Sequence, residues 1–388
     1  MNMCLACRKI FETVSPKTCP LCGASVPQAN FSENTDTVIN EYLPIIHEER
    51  KKHGLEELVY GLDCVVINTE PKRHRPAVEE LLRYTGYALD GTFEESNFTT
   101  SVLKKNQSAD ILIRTRGDGI NPFAPFNRFP KASNHPNTRL ETFVFGTPDI
   151  EAFSAIQKAR GICFTTDKPV RYPHFSFIQT PPSPFTGNAL GFIQWHGERG
   201  NYSPSDAHLL DWHSEKPSVP HLKNIGMLDH AALRVKAENR ASAVIELMLV
   251  TNYTFSFAIY VKSLNSITSV TRLSPEDFAL VFTSGISSYV DEGPSGPTEQ
   301  FIQNYGSRTH HLAFFTEKIE WTFGALKKDG LEFLSPLLGS PEDGLKQTFS
   351  TASEHTLLVT EYIHRYDGFD GFFTRSNVTE LTRVTENQ

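Results

Sequence analysis

Four of the six cysteines stand in two tight pairs, Cys4-Leu-Ala-Cys7 and Cys19-Pro-Leu-Cys22, with Gly23 behind the second. Two C-x-x-C turns at this spacing can wrap one tetrahedral ion, and soft thiolates favour zinc. Gly23 allows the sharp backbone turn in which amides point at sulfur. Four thiolates leave no open coordination position, so the expected zinc is structural, with iron in a rubredoxin-like knuckle as the alternative. Cys64 and Cys163 stand alone, which argues against a disulfide framework. The chain also carries 14 histidines and 45 acidic residues. In so large a pool, spacing alone singles out no ligand set, and a lone strand histidine is more often structural than a ligand.

The elements that could position such residues repeat. Thr147-Pro-Asp-Ile150-Glu151 through Gly161 and Phe164 recurs as Thr316-Glu-Lys-Ile319-Glu320 through Gly330 and Phe333, with Lys158 and Lys327 at the same offset. In each copy an apolar strand (Glu141 to Phe145; His311 to Phe315) leads into an amphipathic helix that stops at the glycine. Leu62 to Thr69 and Leu228 to Val235 open two further copies, followed by helical patterns and by alternating strands such as Phe98–Leu103 and Thr254–Val261. Four βαβββ modules result, at roughly 58–117, 138–198, 226–284 and 308–366. The Pro-, Ser- and charge-rich stretch Asp211 to Pro220 divides them into two pairs.

Bulk properties narrow the partners. A net charge of -8 and a pI near 6.0 supply no basic field for phosphates, so nucleic acid is not expected. The N-terminus lacks the apolar core of a signal peptide, and no stretch has the roughly 18 to 20 apolar residues that span a bilayer. A cytoplasmic protein is expected, and self-association is left open. Phenylalanine is abundant, 28 of 388 residues, which suits packed sheets and an aromatic-lined pocket.

The modular pattern resembles the vicinal-oxygen-chelate (glyoxalase and bleomycin-resistance) superfamily, an α+β class in which modules pair into open barrels. Residues 1–28 resemble a zinc ribbon. The implied domains are the ribbon, a metal-free scaffold pair at 37–210 and a catalytic pair at 221–388.

The last pair carries a narrower resemblance. Ile225-Gly-Met-Leu-Asp-His230 opens module three; Glu299-Gln-Phe-Ile-Gln-Asn-Tyr-Gly306 and then Ser307-Arg-Thr-His-His311 open module four. Glu361-Tyr-Ile-His-Arg365 closes it, followed by Gly368-Phe-Asp-Gly-Phe-Phe373 and a terminal helix from about Thr374. Over residues 225–385 this order resembles 4-hydroxyphenylpyruvate dioxygenase. The resemblance implies ferrous iron held by His230, His311 and Glu361, a pocket formed by Phe369, Phe373, Gln347 and Ser269, and an aromatic 2-oxo acid and dioxygen as reactants in aromatic amino acid catabolism. Two imidazoles and one carboxylate leave about three open positions on iron. Strand alternation excludes His310 and His311 from one face, and the resemblance selects His311, leaving His310 to packing or a supporting contact. In module two the position of His311 is Thr142, and in module one that of Asp229 is Asp63 with no histidine following. His74, His196, His213 and His221 are expected to meet solvent.

The chain also departs from that pattern. Ser284 stands where the family has asparagine, a glutamine expected near Gly296 or Pro297 is absent, and the loop from Leu334 to Gln347 is short. These changes bear on substrate identity because a lost amide removes directional hydrogen bonds. The alternatives are a divalent-metal lyase or isomerase, another aromatic-ring oxygenase of the superfamily, or a ligand-binding protein whose ribbon recruits a partner.

Overall fold

The computed structural model describes residues 34–386 apart from 96, 118, 292–294 and 370, together with the backbone of residues 2–3 and 10–11. Asn2–Met3 (β1) and Ile10–Phe11 (β2) form a short antiparallel ladder. Cys4, Cys7, Cys19 and Cys22 lie outside the described residues. Thr37–Lys52 (α1) follows.

Leu62–Thr69 (β3) is a β-branched run buried on both faces, as a central strand should be. It leads into helix His74–Thr85 (α2), whose Ala77, Val78, Leu81 and Leu82 recur at helical spacing on the buried side. Three strands follow: Ala88–Glu95 (β4), Phe98–Lys104 (β5) and Asp110–Arg116 (β6). The order then repeats with Arg139–Gly146 (β7), Ile150–Ala159 (α3), Val170–Arg171 (β8), Phe175–Gln179 (β9) and Ala189–Trp195 (β10). With His208–Leu209 (β11), these strands form one nine-stranded sheet in the order β11-β4-β5-β6-β3-β7-β10-β9-β8.

The second sheet is built alike. It contains Ile225–Arg234 (β12), Arg240–Val250 (α4), Thr254–Val261 (β13), Ser266–Arg272 (β14) and Ala279–Ser284 (β15). After helix Gly296–Tyr305 (α5) come Arg308–Thr316 (β16), Ile319–Lys328 (α6), Leu338–Ser340 (β17), Leu345–Phe349 (β18) and Val359–Arg365 (β19). Its eight strands run β13-β14-β15-β12-β16-β19-β18-β17, and Arg375–Val384 (α7) closes the chain. Both repeated helices, α3 and α6, end through glycines at positive φ, Gly161 at 87° and Gly330 at 96°.

Each sheet is mixed, with an antiparallel central pair (β3/β7 and β12/β16) flanked by parallel neighbours, and the two carry matching irregularities. Asp63 and Asp229 are extra residues in β3 and β12, and Glu141 and His310 are extra residues in β7 and β16. One large core joins the helix-bearing faces of both sheets, from Ile67 and Phe143 to Leu233 and Phe282. The helix α1 packs against α4 of the second sheet, where Arg50 donates to the carbonyls of Met248 and Tyr253. On its other face the first sheet is filled by Cys64, Val66, Phe93, Leu112, Val144 and Ile193. Among the described residues no helix is long and apolar enough to cross a membrane.

Candidate metal centre

The register of the second sheet brings three distant residues together. Ala313 of β16 stands opposite His230 of β12 on one side and Glu361 of β19 on the other. Cross-strand neighbours share a face, and His311 lies two residues from Ala313 on the same strand. The small methyl of Ala313 leaves the space above it to the three larger side chains. All three are buried, His230 at 0 %, Glu361 at 1 % and His311 at 8 % exposure. Their candidate ligand atoms lie within 4.8 Å of one another. Nε2 of His230 is 3.1 Å and Nε2 of His311 is 3.2 Å from the same oxygen, Oε2 of Glu361.

The residues fit a divalent cation. Although close to Glu361, His230 Nε2 lacks the alignment of a hydrogen bond, and Glu361 Oε1 has no partner. A cation between the three side chains would satisfy both atoms. The outward ring nitrogens are held. His230 Nδ1 lies 2.7 Å from Asp229 Oδ2, and Arg365 grips that carboxylate from the other side. His311 Nδ1 lies 2.8 Å from His310 Nδ1. A donor–acceptor contact at each Nδ1 leaves each Nε2 free to ligate, the arrangement in which an outer partner orients a metal-binding imidazole.

Electrostatics couple the three groups, and a cation bound there would displace the proton from His230 Nε2. Burial opposes ionisation of Glu361, yet the His230 and His311 rings bring its pKa down to about 2. Burial likewise opposes a charge on His230, but Glu361 and Asp229 outweigh it and raise the pKa to about 9. His311 is shifted downward, by burial first, with His230 and Arg234 adding to the effect against Glu361. Asp229 is buried, but Arg365 and His230 hold its pKa well below the carboxylate range.

A cavity opens beside the three side chains. Its lining includes His310, His311, Glu361, Gln347, Phe349 and Phe373, with Val378 and Leu381 of α7 covering it. Phe373 meets the His230 ring edge-on at 5.2 Å and Phe349 lies 4.8 Å from the His311 ring.

No family model matches the chain, and no curated protein matches it in sequence. Solved structures do match. A triple mutant of 4-hydroxymandelate synthase from Streptomyces coelicolor superposes with a TM-score of 0.65 at 16% identity, over 85% of this chain and 98% of that one. A xylose isomerase-like TIM barrel/4-hydroxyphenylpyruvate dioxygenase fusion protein gives 0.61 at 13% identity, over 90% of this chain and 58% of its own length. The fold is 4-hydroxyphenylpyruvate dioxygenase-like. At such identities the likeness concerns the fold alone, and residue roles rest on the geometry above.

The pocket residues named from sequence are divided by the structure. Gln347 and Phe373 line the cavity; Gln347 is fully buried, with neither amide atom bonded, and is no surface residue. Ser269 does not line it. Its Oγ accepts from Arg240 Nε at 2.7 Å, on the α4 side of β14, and the neighbouring Thr268 faces the cavity. Phe369 also lies off it, packed over Gly344, and Phe372 takes the place against His230, at 5.5 Å. The alternation argument for His310 fails as well. The extra residue in β16 interrupts the alternation, so His310 and His311 both reach the cavity. His74 and His221, expected at the surface, are buried.

Asp229, Arg234 and Arg365 were missed by sequence reasoning. A signal existed for the second: His230, Ala232 and Arg234 alternate along one strand, and a strand-interior arginine on the histidine's face asks for an explanation.

Proposed function

We propose that the chain is a ferrous-iron dioxygenase of the 4-hydroxyphenylpyruvate dioxygenase kind, acting on an aryl pyruvate or related 2-oxo acid. The observation that carries this reading is the convergence of the buried trio His230, His311 and Glu361, in which His230 Nε2 and Glu361 Oε1 find no hydrogen-bond partner inside the protein. Ferrous iron there would supply a redox centre with open positions for a 2-oxo acid and dioxygen, the combination needed for oxidative decarboxylation and ring hydroxylation.

The chain's own residues do the rest. Asp229 keeps the proton of His230 on Nδ1, and the contact between His310 and His311 sets the tautomer of the second ring. Phe349, Phe372 and Phe373 surround the imidazoles with apolar surface and exclude water. Gln347 offers an unbonded amide to orient a substrate. The helix α7 covers the cavity with Val378, Leu381, Thr382 and Thr385. On this reading residues 221–388 perform the chemistry, while residues 37–210 serve as scaffold and residues 1–28 bind structural zinc through Cys4, Cys7, Cys19 and Cys22.

Iron-loaded protein supplied with 4-hydroxyphenylpyruvate and then with other aryl and alkyl 2-oxo acids should consume dioxygen and release carbon dioxide, with homogentisate as the product of the first. Iron-loaded protein that consumes no dioxygen with any 2-oxo acid would contradict the proposal. Turnover under strict anaerobiosis would transfer the site to the lyase and isomerase alternative.

A further inference from the structure

One buried cation in the cavity is unexplained by metal binding. Arg234 follows His230 by four positions on β12, on the same face. At roughly 3.3 Å per residue their Cα atoms are about 13 Å apart, and His311, level with Ala232, lies between them on the neighbouring strand. Two contacts and one unpartnered N–H define the arginine. One guanidinium face covers the Phe301 ring at 4.5 Å, and Nη2 donates to Thr385 Oγ1 at 2.8 Å. Nη1 is buried and has no partner. Among the described residues no carboxylate pairs with Arg234, and burial alone brings its pKa down to about 9.

Charge counting sharpens the point. Of the residues lining the cavity, Glu361 carries the one carboxylate, and Arg234 the one guanidinium. The site with a divalent ion, two neutral imidazoles, Glu361 and Arg234 has two positive charges in excess. Buried charges of one sign are costly unless compensated. A 2-oxo acid with a single carboxylate leaves one of the two unbalanced, and a second carboxylate at the far end balances both. A planar guanidinium fixed on an aromatic face with a free N–H is well suited to that group.

We propose that Arg234 is a specificity residue that binds the distal carboxylate of a dicarboxylic 2-oxo acid. This rests on the metal-centre reading above and names its substrate class. The test is calorimetric titration of the full-length protein, loaded with manganese, with 2-oxoadipate and 2-oxohexanoate. The pair share a carbon chain and differ by one terminal carboxylate. A second pair, 4-carboxyphenylpyruvate and phenylpyruvate, covers aromatic ligands. In one or both pairs the diacid should bind at least about tenfold tighter, as a charge-assisted buried hydrogen bond implies. Arg234→Gln should abolish that preference while manganese stoichiometry stays unchanged, and Arg234→Lys should restore part of it.

A structural role confined to anchoring α7 through Thr385 predicts instead a lower melting temperature for Arg234→Gln with an unchanged diacid-to-monoacid ratio. That result, or equal binding of diacid and monoacid by the unaltered protein in both pairs, would overturn the assignment. Failure of manganese itself to bind would show up separately and would remove the metal centre together with this proposal.

Discussion

Asp229 acts on the proposed metal through a neighbour's ring, and replacing it isolates that contribution. Asp229→Asn keeps the size of the side chain but weakens the grip on His230 Nδ1 and on Arg365. Loss of such an outer partner typically lowers metal affinity about 10- to 100-fold, and titration with manganese or ferrous iron should read that drop. Unchanged affinity would mean that His230 is oriented by packing against Phe372 and Phe373 alone. At this scale the sequence was legible in so far as the three residues that the resemblance singled out converge in the fold, and illegible where the strand rule failed. Asp229 and His310 are extra residues in their strands, and alternation assigns such residues to the wrong face. Ser269 shows the opposite error, because a one-residue offset separates it from Thr268, which faces the cavity.

Among the elements, the repeated strand and helix order and the glycine stops at Gly161 and Gly330 could be read from the chain, since both depend on local chemistry. The tie between α5 and the sheet could not. Glu299 of α5 is buried and its Oε1 accepts from the backbone amides of Ala237 and Gly285, each at 2.9 Å. Burial pushes its pKa up to about 7 from an ordinary 4.5, although both amides favour the anion. The folded chain therefore keeps this proton to about pH 7, while the unfolded chain releases it near 4.5. Its contribution to stability is complete below pH 4.5 and is lost as pH rises through 7. The melting temperature should accordingly fall between pH 5 and pH 8, and Glu299→Gln, which cannot ionise, should flatten that slope. An identical slope in the variant would contradict the account. For α7, Leu381→Asp should unseat the helix from Phe349 and Val359, retain the metal and weaken 2-oxo acid binding. Loss of metal along with the ligand would show that α7 supports the trio as well as covering it.

Across the whole molecule, two sheets of the same construction differ in what fills their cavity-side faces. By register, Cys64, Thr142 and Gly191 of the first sheet occupy the places of His230, His311 and Glu361. The Thr142 equivalence was visible in the repeat; the Gly191 equivalence needs the strand pairing. A Cβ on Gly191 would come within 2.9 Å of the Phe177 ring, so Gly191→Ala should cost roughly 1 to 3 kcal/mol of stability by overpacking, read as a shift of the urea midpoint. The separation of roles between halves turns on one count. Ferrous iron titrated anaerobically into the full chain, with zinc determined in parallel, should bind at one ion per chain in the unaltered protein and in Ser269→Ala, and should fail to bind tightly in Glu361→Ala. Equal iron binding with and without the Glu361 carboxylate, or none in the unaltered protein, would contradict the metal centre on which the account stands.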